Sequence, residues 1–236
     1  MEDIIGEALL DYQNGNYSED IITYSSLDEE DIIPIPYLFR GFNEMPELEQ
    51  KALHLCIGKV LDIGCGAGSH SLHLQKQGLE VTALDTSPGA IEVCNQRGIQ
   101  NTVCARIEDY FGTKFDTLLL LMNGIGIAGS LDKLGNLLVH LESLLEPNGQ
   151  ILLDSSNIIY MFEQDDDGGY WMPDNVAYYG EVEFQMEYKN LKGKPFNWLY
   201  IDFENLKKHA QHYGFDCELV SDGKHYDYLA KLTLKP

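Results

Sequence analysis

From Lys59 onward, short apolar runs alternate with stretches whose apolar positions recur every three or four residues. This alternation predicts βαβ units building a mainly parallel sheet. Strands are expected at 59–63, 80–84, 102–105, 117–122 and 150–154. Between them the helices are punctuated: Ser87 caps one whose first turn holds Pro88 and whose end is marked by Gly98. A second helix, 131–145, carries Leu131, Leu134, Leu138, Leu141 and Leu145 on one stripe, a core face, and Pro147-Asn148-Gly149 closes it.

Residues 1–57 read differently, as an N-terminal cap with helical patterns at 4–12 and 45–56 around an acidic stretch broken by Pro34 and Pro36. After Asp154 the βα rhythm stops again. Residues 158–200 hold an acidic, Gly-rich stretch and two aromatic-rich runs, 178–188 and 195–201, around Asn190-Leu191-Lys192-Gly193, which predicts an inserted β-hairpin in a main domain of 58–236. A helix at 203–213 between Asp202 and Gly214 follows, then strands at 215–220 and 226–234. The turn between these strands, 221–225, is shorter than the dozen or so residues a parallel crossover needs, so the last strand must run antiparallel to its predecessor.

Composition narrows the partners. With 236 residues and 44% hydrophobic content the chain can bury one substantial α/β core with an appendage. Its 16 Lys+Arg against 38 Asp+Glu give a net charge of −22, a field that repels nucleic acid and anionic membrane surfaces. The first ten residues contain Glu2, Asp3 and Glu7 and lack the basic and apolar regions of a signal peptide, and no apolar run approaches the roughly 18 residues of a membrane span. Five scattered cysteines without a C-x-x-C pair suit reduced core thiols, and a cytoplasmic protein is expected. The acidic stretch 163–167 does not fit a calcium loop, and no metal is implied.

The chemistry centres on Val60-Leu61-Asp62-Ile63-Gly64-Cys65-Gly66-Ala67-Gly68, an apolar strand running into a glycine turn that opens a helix. Such a turn brings bare backbone to a ligand beneath a helix N-terminus. Asp85 ends the next strand 21 residues after Gly64, where nucleotide-binding folds hold ribose hydroxyls.

An acidic residue before G-x-G-x-G, followed by an acidic residue ending the second strand, resembles the class I S-adenosylmethionine (SAM)-dependent methyltransferases. Phe115-Asp116-Thr117-Leu118-Leu119-Leu120, the turn Leu145-Glu146-Pro147-Asn148-Gly149-Gln150-Ile151-Leu152-Leu153 and the antiparallel last strand fit the same family. The resemblance implies an α/β, Rossmann-like doubly wound sheet of seven strands, SAM as cofactor, and a small-molecule acceptor. It implies that Gly64, Gly66 and Gly68 line the methionine and ribose portions, that Asp62 orients the loop, and that Asp85, with Thr86 beside it, holds the ribose. The resemblance further implies adenine contacts from Ile107 and Glu108, although Arg106 stands where an acidic residue is common in that family. Asn123 stands where, by the same resemblance, the main chain meets the methionine amino group.

An NAD(P)-dependent oxidoreductase shares part of this grammar, but the third glycine of its G-x-G-x-x-G fingerprint falls on Ser69 or Ser71. A non-catalytic SAM-binding module is the other alternative. Arg40 is a candidate clamp for the SAM carboxylate or a carboxylate substrate, or else a surface partner of Glu44 or Glu47. His70 either faces the methionine end or packs. Tyr160, Trp171, Tyr178, Tyr179 and Trp198 either wall an organic pocket or pack on the sheet. If the acceptor must lose a proton, Tyr37, Tyr160 and His225 are the candidate bases.

Overall fold

Lys59–Ile63, the run that leads into the glycine turn, is a central strand, buried along nearly its whole length because it is covered on both faces. The computed structural model describes residues 3–165, 167–171 and 177–235. In chain order the elements are α1 (Ile4–Gln13), β1 (Ile21–Ser25), β2 (Glu30–Ile33), α2 (Ile35–Leu38), α3 (Glu47–Leu55), β3 (Lys59–Ile63), α4 (Ser69–Lys76), β4 (Glu80–Asp85), α5 (Pro88–Gln96), β5 (Asn101–Cys104), β6 (Phe115–Leu120), α6 (Leu131–Ser143), β7 (Leu145–Ser156), β8 (Glu181–Tyr188), β9 (Leu191–Lys192), β10 (Phe196–Leu199), α7 (Phe203–His212), β11 (Phe215–Asp222) and β12 (Asp227–Leu234).

Seven strands form the main sheet in the order β11-β12-β7-β6-β3-β4-β5. β3 pairs in parallel with both β4 and β6, whereas β12 runs antiparallel to β7 and to β11. The short turn before β12 thus has the consequence expected of it. One face is covered by α6 and α7 through Leu134, Leu138, Leu141, Leu206 and Ala210, and the other by α3 and α4 through Leu48, Ala52, Leu53 and Leu74. Pro147–Gly149 ends no helix: α6 has already stopped at Ser143, and the three residues bulge within β7, which pairs Leu145 with Phe115 and resumes at Gln150 opposite Thr117.

The N-terminal segment is not a purely helical cap. β1 and β2 occupy the acidic stretch, and β1 pairs antiparallel with β8 of the insert, Tyr24 opposite Gln185. The insert is a hairpin in which β9 and β10 pair with the other edge of β8. Together they make a second sheet, β10-β8-β1-β2, so two segments far apart in sequence form one layer. α1 anchors it: a Cβ on Gly89 would lie within 2.5 Å of the Gly6 backbone, and Asp3 accepts hydrogen bonds from Ser87 Oγ (2.8 Å) and Gly89 N (2.9 Å) at the start of α5.

Candidate active site

Where β3 ends, the chain crosses onto the end of β4. Gly64 N and Cys65 N both donate to Leu84 O, at 2.8 and 3.1 Å. Gly64 and Gly66 adopt φ of +75° and +52°, and a Cβ on either would point into open space. Gly68, at φ +79°, differs: a Cβ there would strike Ile99 Cδ1 and Cys94 Sγ. Its glycine is required by packing at the start of α4, so only two of the three expected ligand-lining glycines face free space.

Asp85 sits at the loop's edge, accepting Gly66 N at Oδ2 and Ser87 N at Oδ1, both at 2.9 Å. Burial nevertheless raises its pKa, against those backbone bonds. Asp62 is buried and accepts Ser71 Oγ at 2.6 Å, which ties β3 to the first turn of α4, and burial raises its carboxyl as well. Thr86 is exposed beside Asp85. Ile107 is buried past β5, while Glu108 is exposed and pairs with Arg106 at 3.3 Å.

Arg40 is buried, and neither Glu44 nor Glu47 is its partner. Its Nη2 donates to both oxygens of Glu49, at 2.6 and 2.5 Å, and Nη1 donates to Tyr37 O at 2.7 Å. His70 Nε2 lies 2.8 Å from the same Glu49 carboxylate. The guanidinium stacks 3.9 Å above the Tyr37 ring, and its Nε is buried without a partner. Burial alone would raise the Glu49 pKa, but hydrogen bonding and charge from His70 and Arg40 outweigh it and hold the carboxyl below its ordinary value. The charge of Arg40 is therefore already matched, which disfavours it as a free clamp for a second carboxylate, although one donor remains.

Met122 and Asn123 follow β6 in the left-handed region, at φ +60° and +57°. Asn123 N donates to Asp154 Oδ1 at 2.8 Å, and Asn123 O accepts Gly126 N at 2.9 Å. Its side chain accepts Ser155 Oγ and donates to Leu199 O, joining β6, β7 and β10. Asn123 is thus a strut as well as an edge residue. Asp154 is pushed up to about 7 by burial, which prevails over the Asn123 N–H bond and is reinforced by the charge of Glu49.

That shift sets a pH signature. A carboxyl whose folded pKa exceeds its unfolded one binds its proton more tightly when native, so its contribution to stability is full below about pH 4 and is lost as pH rises to about 7. Asp154→Asn, which keeps the acceptor for Asn123, is expected to unfold at a higher temperature than the parent at pH 8, by roughly 2 kcal/mol of stability, and to match it at pH 4. Thermal melts at the two pH values check this; a variant no more stable at pH 8 would contradict the shift.

The three candidate bases do not converge. Tyr37 lies with Arg40, while Tyr160 stacks on Tyr226 with ring centroids 4.8 Å apart, and His225 is exposed in the turn before β12. Tyr178 and Tyr179 both donate to Asp202 Oδ2 and serve as struts for α7. Trp171 is exposed, and Trp198 fills the space that a side chain at Gly126 would need. Sequence reasoning missed Glu49 and Asp154. The signal for Glu49 was its place on the buried stripe of α3 with Ala52 and Leu53.

A sheet of this order, with an antiparallel strand inserted beside β7 and an open glycine turn at its centre, defines a class I methyltransferase fold. Residues 60–149 match the family described as "Methyltransferase domain". The chain is 42% identical to a SAM-dependent methyltransferase from Bacteroides fragilis, crystallised with S-adenosyl-L-homocysteine, with a TM-score of 0.92 over 99% of this chain and 95% of that one. It is 24% identical to an uncharacterized methyltransferase of Staphylococcus carnosus over 177 residues, 75% of this chain and 78% of that protein. It is 29% identical over 102 residues to the mitochondrial ubiquinone biosynthesis O-methyltransferase of Schizosaccharomyces pombe, covering 41% of this chain and 37% of that protein. The chain spans less than half the length of the first curated relatives it matches. It belongs to the SAM-dependent methyltransferases. Among the described residues no helix is long and apolar enough to cross a membrane.

Proposed function

We propose that the protein transfers a methyl group from SAM to a small organic acceptor enclosed between the carboxyl edge of the main sheet and the lid sheet. The observation that carries this reading is the bare backbone of Gly64 and Gly66, opening on free space beside Asp85. Each Asp85 oxygen accepts one backbone N–H and keeps a lone pair for a ribose hydroxyl. Thr86, Ile107 and Glu108 flank the base, the Asn123 segment borders the methionine end, and the spare Nε of Arg40 is the donor left for the methionine carboxylate. Asp62 positions the loop through Ser71.

When bound, SAM supplies a methyl group on a sulfonium whose departing thioether is neutral, so no acid is needed at the leaving group. The chain's own residues then have to align the acceptor and exclude water. The lid suits that task because Phe184, Phe196 and Trp198 share one of its faces, with Trp198 seated on Gly126 just past β6. The charge of −22 supports a small acceptor over a nucleic acid or a membrane. Five free cysteines support a reducing compartment, and we place the protein in the cytoplasm.

Mass spectrometry of the purified protein should find bound SAM or S-adenosylhomocysteine. Asp85→Ala removes two charge-assisted hydrogen bonds to the ribose, each worth roughly 1.5–3 kcal/mol net. Isothermal titration should therefore show affinity for S-adenosylhomocysteine falling by about 100-fold or more. Unchanged affinity in a folded variant would contradict the cofactor assignment.

A further inference from the structure

Two thiols meet behind the glycine turn. Cys65 stands between Gly64 and Gly66, and Cys94 lies in the last turn of α5, with their sulfurs 3.7 Å apart. Both side chains are buried, Cys94 completely and Cys65 to 7% exposure, and Ala83, Ile91 and Ile99 pack around them. Among the described residues these are the two of the five free cysteines whose sulfurs touch.

The sulfurs also hold the turn itself. Cys94 Sγ donates to Gly66 O at 3.3 Å, and Cys65 Sγ lies 3.9 Å from the same oxygen. Gly66 N donates to Asp85 Oδ2 at 2.9 Å. Gly66 is therefore fixed at its carbonyl by a thiol and at its N–H by the carboxylate read above as the ribose acceptor. Gly68 is tied to the same sulfur, since a Cβ there would lie 2.9 Å from Cys94 Sγ. Methyl transfer as derived above uses neither thiol.

We propose that Cys65 and Cys94 form a redox modification site: hydrogen peroxide joins them as a disulfide, and the disulfide weakens cofactor binding at the turn. This regulation rests on the methyl-transfer reading above. Cys65, the one with residual exposure, attacks the peroxide; the O–O bond breaks, Cys65 becomes a sulfenic acid and one water leaves. The Cys94 sulfur then attacks the Cys65 sulfur, the S–O bond breaks as the S–S bond forms, and the Cys94 proton leaves with the hydroxide as a second water. The two thiols give up two electrons and the peroxide takes them. Joining the sulfurs draws them inside their present separation and removes the S–H donated to Gly66 O, so the turn that meets the cofactor has to shift. The hydrogen bond with Cys94 and burial push the Cys65 thiol up, which keeps the pair reduced until peroxide is sustained.

The test treats the full chain with hydrogen peroxide, blocks the remaining thiols with iodoacetamide and maps the peptides by mass spectrometry, alongside isothermal titration with S-adenosylhomocysteine. A cross-link between Cys65 and Cys94 should form, affinity should fall by about 10-fold or more, and dithiothreitol should restore both the thiols and the affinity. Cys94→Ser, or Cys94→Ala should the serine variant not fold, cannot cross-link, so after peroxide its affinity should stay within about 2-fold of its own untreated value. Both thiols intact after sustained peroxide, a cross-link elsewhere in the chain, or a Cys65–Cys94 cross-link that leaves affinity unchanged overturns the proposal. So does a loss of affinity that dithiothreitol does not reverse or that the Cys94 variant shares in full. Failure of the untreated protein to bind S-adenosylhomocysteine overturns the underlying cofactor reading instead.

Discussion

Gly66→Val is expected to abolish measurable binding of SAM and S-adenosylhomocysteine while leaving a folded protein. The φ of +52° is disfavoured for a β-branched residue, at a cost on the order of 1–3 kcal/mol, and the new side chain would project into the open space beside Asp85. The strain alone cannot account for lost binding if the right control is made. Gly98 has φ +87° and open space around its Cβ position, but it lies past the far end of α5. Gly98→Val should incur a comparable backbone penalty and bind the cofactor normally. Circular dichroism and isothermal titration on both variants separate the effects; near-normal binding by folded Gly66→Val would sink the idea that this turn meets the ligand.

The second large effect concerns stability. Glu49→Ala leaves the Arg40 guanidinium buried without its counter-charge and removes the partner of His70. Breaking a buried pair by deleting one member costs about 3–5 kcal/mol, because the remaining charge is desolvated and uncompensated. In a chain of this size that corresponds to a melting point lower by about 10–15 °C. The pH dependence carries the opposite sign to that of Asp154. The folded pKa of Glu49 lies below 4.5, so its stabilisation is present above that value and disappears as pH falls through the folded pKa. The gap between the parent and Glu49→Gln should thus be widest near neutrality and close in acid. A Glu49→Ala protein that melts like the parent at pH 7 would show that the ion pair contributes nothing.

If both results hold, the cap has two tasks. Ser69 Oγ donates to Leu38 O at 2.8 Å, and Glu49 reaches His70, so α2 and α3 brace α4, the helix that follows the glycine turn. β1 meanwhile pairs with the edge of β8 and so joins the cap to the insert.

The sequence by itself determined the elements whose causes are local. The glycine turn, the Ser87 and Asp202 caps, the leucine stripe of α6 and the short turn before β12 each rest on residues within a few positions of one another. From these the βαβ units, the antiparallel last strand and the place of Asp85 could be read, and the family resemblance they carry implied the cofactor class; the order of the strands in the sheet came from the tertiary structure. Only the tertiary structure decided that β1 and β2 are strands, because their apolar positions are too few to fix a period and, beyond their pairing with each other, β1 is held by β8 some 160 residues away. It likewise assigned Arg40 to Glu49, since several acidic residues stood within sequence reach and only the burial of one face of α3 selects among them. It also divided the three glycines, two open to a ligand and one closed by Ile99 and Cys94, a difference set by what packs against each Cα and written nowhere in the G-x-G-x-G spacing.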